Sequence, residues 1–379
     1  MAEVPVSGSV LTWAREFRGL SLDAAAKRLG LTKLELQEFE AEIRKPSLTK
    51  FEKIVATYRL PSATLFRRTP PKEPDKPSDF RTFGGVVPHE SFDFHVALSN
   101  VRSLQAVLRV LRFEDDNFKS ATIRQYDFKG SPFQQADKER HEIGISIQQQ
   151  LGWKTGEGFR HWRAIVERLG IAVYLQKFEV NDCRGFSLWE DGVTPAIVIN
   201  KAERSENAWV FTLIHEYAHL LIRRPGISDL NFANPTEAFC NRFAAAFLMP
   251  REALQNVLPI WPSEPIAWDH TLIREAAGRL KVSAQALAIR LEELAKAPKD
   301  FNQHFVGHGV QKKPTEVGGN YVNTRLSEIG ARYTEAVVGA LDRDIIDGVH
   351  ASEALGLSPK HLGAARTYIE RQPDLAHAG

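Results

Sequence analysis

His215 and His219 stand four residues apart in the run FTLIHEYAHLLI, residues 211–222. Four residues is just over one helical turn, so on a helix both imidazoles share a face and lie close enough to hold one ion. Glu216 follows His215 directly and points about 100° further round the helix. It therefore flanks such an ion instead of ligating it. Zinc held by two imidazoles and one carboxylate keeps an open position, and water there reaches a pKa of about 7. A carboxylate beside that position is placed to act as base. Glu237, eighteen residues after His219, opens the next helical pattern, TEAFCNRFAAAFLM. An antiparallel return would bring it to the histidines as third ligand. Manganese accepts the same donors. The bland alternative, two core histidines and a helix N-terminal charge, packs three polar groups together with no ion to compensate them.

Neighbouring candidates carry less. Tyr217 and Phe211 read as core. Cys240, three residues after Glu237, shares its helix face and could approach an ion, but a small buried residue is the simpler reading. His304 and His308 repeat the four-residue spacing beside Gly307 and Gly309, in a segment without helical pattern, which weakens a second metal site there. Cys183 and Cys240 are the two cysteines of the chain. They are too few for a disulfide framework or a four-cysteine zinc site and fit a reducing compartment.

The elements that must position these groups are legible in outline. A chain of 379 residues predicts two or three domains at roughly 150 residues each. Residues 1–68 read as a helical domain of short segments, VLTWAREF, LDAAAKRLG, KLELQEFEAE and LTKFEKIVATY, punctuated by Gly30 and Pro46. RRTPPKEPDKPS, with Pro70, Pro71, Pro74 and Pro77, reads as an extended spacer. Leu98, Val101, Leu104, Leu108 and Leu111 form the stripe of an amphipathic helix, and spacer and helix together make a linking segment, 69–139. Residues 140–299 read as α+β, with IAVYLQKF, CRGFSLW and PAIVIN as strands of a small antiparallel sheet amid helices. Residues 300–379 read as a helical C-terminal docking region, with a turn at Gly356. The expected fold class is thus mainly α and multidomain.

A net charge of +2 excludes a chain that is cationic throughout, although one basic face fits within that balance. Hydrophobic residues at 43% and charged residues at 25% exclude disorder as the dominant state. No apolar run of 18 residues or secretory signal pattern is present, so no membrane association and a cytoplasmic location are expected.

FTLIHEYAHLLI followed by EAFCNRFAAAFLMP resembles the ImmA/IrrE metallopeptidases, and the resemblance extends to DFRT at 79–82, RGFSLW, PAIVIN and LKVSAQALAIRLEEL. It implies a zincin-like domain in which His215, His219 and Glu237 ligate zinc and Glu216 is the catalytic base. Cys240 stands where that family usually has Ala. The family implies a site-specific endopeptidase that acts on a repressor. A substrate segment could add as a strand to the edge carrying Arg184, Gly185 and Phe186.

Residues 10–66 resemble XRE or Cro-type helix-turn-helix domains, with KLELQEFE as recognition helix. Lys33, Gln37, Arg44 and Lys45 are the candidate DNA contacts, and Arg15, Arg18 and Lys50 could add phosphate contacts. Glu35 and Glu38 depart from the pattern, because carboxylates are repelled by phosphate. A domain that holds a protein partner or a second copy of the chain stays open. In organisation the long chain with its helical tail resembles antitoxin partners of PIN-domain ribonuclease toxins. The expected function is zinc-dependent cleavage of a regulatory protein, coupled to a helix-turn-helix module in transcriptional or stress regulation. The rival is a non-catalytic antitoxin or transcriptional regulator with a structural or latent zinc site.

Overall fold

The computed structural model describes residues 3–71, 91–179, 183–203, 205–224, 234–306 and 320–373. The DFRT segment, most of the Pro-rich spacer and His308 lie outside them. Two compact units emerge: residues 3–71, 91–100 and 177–179 form one, and the remainder forms the other.

In the first unit, α1 (Gly8–Phe17), α2 (Leu22–Leu29), α3 (Lys33–Glu40), α4 (Leu48–Tyr58) and α5 (Ser62–Leu65) follow the expected order. Local chemistry sets their ends. Ser21 and Thr32 accept hydrogen bonds from the backbone N–H of Ala24 and Glu35, and Gly30 closes α2 in the left-handed conformation. Val10, Leu11, Ala25, Leu29, Leu36, Phe39 and Ile54 fill the core. Glu40 locks α3 to α1 through a two-pronged pair with Arg15, 2.7 and 3.0 Å, and a bond from Thr12.

The second unit is built from the end of α6 (Phe92–Glu114), α7 (Pro132–Ile143), α8 (Ile147–Gly152), α9 (Gly158–Arg168), β1 (Ala172–Gln176), β2 (Gly185–Leu188), β3 (Ala196–Asn200), α10 (Glu206–Leu221), α11 (Pro235–Leu248), α12 (Arg251–Val257), α13 (His270–Leu280), α14 (Ala284–Glu293), α15 (Tyr321–Asp342), α16 (Gly348–Leu355) and α17 (Leu362–Glu370). The sheet is mixed where an antiparallel one was expected: its order is β1-β3-β2, with β1 parallel and β2 antiparallel to β3. All five residues of β3, AIVIN, are buried. Such a fully buried run, apolar except for Asn200, suits a central strand paired on both edges, and taking that place separates β1 from β2. No described helix is long and apolar enough to cross a membrane.

Contacts cross the expected boundaries at 140 and 300. Tyr126 N–H donates to Leu221 O, and α7 packs on α11, so residues upstream of 140 belong with the α10 core. Residues 320–373 pack within this unit: α15 lies along β1 and carries α16 and α17. Close approach shapes α15: Gly330 breaks it at φ 81° and ψ 167°, and a Cβ there would stand 2.3 Å from Glu167 Oε1 and 2.7 Å from Val173 O.

Candidate metal centre

α10 is apolar on nearly every side, and its residues from Thr212 to Leu221 are all buried. It packs across β2 and β3 and against α9 and α11. Asn234 caps α11 by accepting from Thr236 N–H, and Pro235 occupies its first turn. Together they start the helix where Glu237 faces α10. The predicted convergence occurs. His215 Nε2 lies 3.1 Å from Glu237 Oε2, His219 Nε2 lies 3.2 Å from Glu237 Oε1, and the two Nε2 atoms are 3.2 Å apart. The three ligand atoms lie within 4.8 Å of one another, the spacing of a group that could hold one metal ion.

The rest of the geometry fits that role. His219 Nδ1–H donates to Arg224 O at 2.8 Å; this bond sets the tautomer and leaves Nε2 as a metal donor. Burial alone would raise the Glu237 carboxyl, but the hydrogen bonds from His215 and His219 outweigh it and hold its pKa at about 2. Burial pulls the His219 imidazole down, yet the Cys240 thiol, Glu237 and Glu216 together hold its pKa well above the ordinary value. A cluster that gathers positive charge this strongly, from donors of this kind, suits a divalent cation. Cys240 is fully buried in the hydrophobic core, in line with its reading as a small core residue, and it borders His219.

Glu216 is fully buried beside this group. Gly185 of β2 lies against it: a Cβ on Gly185 would sit 3.5 Å from Glu216 Cγ, 2.6 Å from Thr212 Cγ2 and 2.7 Å from Val198 O. Glycine lets the edge strand close onto the helix at the level of Glu216. Of the other two residues assigned to substrate, Arg184 is 46% exposed and 3.7 Å from Glu203. Phe186 is fully buried, which corrects its reading as a substrate contact. Its ring serves the core, since β2 is buried on both faces.

Glu139 was not read as a site residue. It is fully buried on α7 and accepts hydrogen bonds from Tyr126 at 2.8 Å, from Arg124 at 3.2 Å and from Tyr217, the residue between Glu216 and Ala218 on α10. One signal pointed to it: a tyrosine inside an apolar helix needs a partner for its hydroxyl.

In the first unit, Lys33, Gln37, Arg44 and Lys45 are all exposed. Lys33 pairs with Asp23 at 2.9 Å, and Arg44 lies 3.6 Å from Glu35 and 3.7 Å from Glu38. Lys50 pairs with Glu35. Arg18 is 1% exposed, donates to Tyr58 O, Arg59 O and His95 O, and has its pKa lowered by burial to about 10. That removes it from the list of phosphate contacts. His304 packs among His270, Phe301 and Phe305, as an aromatic cluster.

Two imidazoles and a carboxylate on adjoining helices behind a small sheet suit a metallopeptidase-like domain, and five short helices, two of them capped by Ser21 and Thr32, suit a helix-turn-helix domain. Family comparison agrees with both. Residues 166–292 match the Peptidase_M78 model, described as the IrrE N-terminal-like domain, and residues 11–65 match the helix-turn-helix model HTH_3. The chain carries an IrrE N-terminal-like domain together with an XRE-type helix-turn-helix. Comparison with curated proteins and with solved structures found no match.

Proposed function

We propose that this protein is a zinc-dependent endopeptidase that cuts a regulatory, repressor-like protein and is guided or sensed through its helix-turn-helix module. The observation that carries this reading is the convergence of His215, His219 and Glu237 with Glu216 one residue from a ligand. A purely structural ion needs no carboxylate at that place. Zinc, or manganese on the same donors, would supply Lewis-acid polarisation of the scissile carbonyl. Glu216 is the general base and carries the proton toward the leaving amine. Arg224 O keeps the His219 ring in its donor orientation, and Glu139 anchors the helix through Tyr217. The edge strand β2 offers its backbone to an extended substrate segment, with Arg184 exposed at its start and Gly185 admitting close approach.

One observation favours a second reading. His215, His219, Glu216 and Glu237 are each at most 4% exposed, which also suits a latent or structural zinc site in a non-catalytic regulator that holds a toxin, a DNA operator or a second copy of itself. Zinc content and cleavage of candidate repressors distinguish the two. The peptidase reading expects about one zinc per chain, lost in His219→Ala and Glu237→Ala, and cleavage abolished in Glu216→Gln. Zinc bound at full occupancy, with repressors left intact by the wild-type protein, would assign the chain to the second reading.

A further inference from the structure

We propose that the groove between α9, α15 and α17 binds a small molecule carrying a phosphate-like anion on a planar body, of the nucleotide class. This cavity of about 500 Å³ falls in the size range of small-molecule sites. Arg160, Arg163 and Arg371 all line it, and no carboxylate does. Arg163 is paired with Glu167 at 3.3 Å behind the groove, which leaves Arg160 and Arg371 as the two arginines there without an ion pair among the described residues.

The arginines differ in what they have left to give. Arg163 is committed: it donates to Ser327 O at 2.6 Å, to Val173 O and to Glu167 at 3.3 Å. It forms a fixed wall. Arg160 and Arg371 are exposed. Arg160 donates to the backbone carbonyl of Arg371, and neither side chain makes an ion pair among the described residues. Their guanidinium forks remain available for bidentate contact with a phosphate or carboxylate. Phe159 and Tyr368 supply the aromatic walls, and a flat ring placed there meets both apolar surface and arginine planes.

Occupancy would reach the metal helix by one step. The Phe159 ring meets Trp209 of α10 edge-on, with centroids 5.3 Å apart, and Trp209 precedes His215 by six residues. The site is nevertheless separate from the metal centre, so its test is independent of peptidase activity.

Isothermal titration of the full chain with ADP and with pyrophosphate, at low and moderate salt, tests the proposal. ADP is expected to bind once per chain, and pyrophosphate about tenfold or more weakly because it lacks the planar body. Arg160→Gln and Arg371→Gln should each weaken ADP about tenfold with unchanged melting, since both residues are exposed. Absence of saturable heat with ADP, or affinity unchanged in both arginine variants, overturns the site. Equal affinity for ADP and pyrophosphate overturns the planar body.

Discussion

The carboxylates of α3 and those of the metal centre are built from the same residue type and treated in opposite ways. Glu35 and Glu38 lie at a surface, each within reach of a cation, Lys50 or Arg44, that neutralises it locally. Glu237 and Glu216 are removed from water and surrounded by groups that gain from a shared positive charge. Surface pairs of the first kind are each worth about 1 kcal/mol or less. Buried charges of the second kind are costly unless something strong compensates them. A buried acidic cluster therefore implies a specific occupant, whereas a paired acidic surface accepts several partners.

The largest effects should follow from breaking the buried side of that contrast. On the proposed peptidase reading, Glu216→Gln removes the base and keeps the shape, so cleavage should fall by a hundredfold or more while elemental analysis still finds about one zinc. Undiminished cleavage would remove Glu216 from the mechanism. On the same reading, Glu237→Ala leaves two imidazoles and should lose the proposed ion altogether.

The difference in legibility follows from the same physics. The histidine pair and Glu237 were readable because ligand spacing on a helix is rigid and the ligand chemistry is narrow. The helices of the first unit were readable because caps such as Ser21 and Thr32 and the glycine after α2 are local signals. What stayed hidden depends on contacts between distant segments. The place of β3 between β1 and β2 is decided by burial of AIVIN, which leaves no mark on pairing partners. The docking of α15 along β1 rests on Gly330, whose role appears only when Glu167 and Val173 lie beside it. Phe186 looked available because a four-residue strand does not tell which faces are covered.

Intermediate effects test the packing that positions the site. Gly185→Ala puts a methyl into Thr212 and the Val198 carbonyl, so denaturant unfolding should show a loss of about 1–3 kcal/mol. A loss near zero would mean that β2 does not press on α10. Glu167 tests the buried contact with α15. Burial raises its carboxyl to about 7, against the opposing pull of Arg163. The folded state thus holds a proton that the unfolded chain releases near pH 4.5. The associated stability is full below that value and falls as pH rises toward 7, by on the order of 2–3 kcal/mol. Glu167→Gln should flatten the melting temperature over this window, and an unchanged pH profile would show that Glu167 is ionised throughout.

The smallest effect lies at the surface and decides what that surface is for. If α3 enters DNA, Glu35 and Glu38 hold Lys50 and Arg44 back from phosphate. Replacing both carboxylates with glutamine should change stability by no more than about 1 kcal/mol. Freed from their partners, the two cations should strengthen binding to the neighbouring promoter and steepen its dependence on salt by about one phosphate contact each. A variant that binds no better, with no salt dependence in either protein, would mean that this face meets a protein. In that case the exposed Leu34, Ile43 and Leu48, at 66%, 76% and 52%, become the residues to mutate, because apolar groups at such exposure gain from burial against a partner and gain nothing from phosphate.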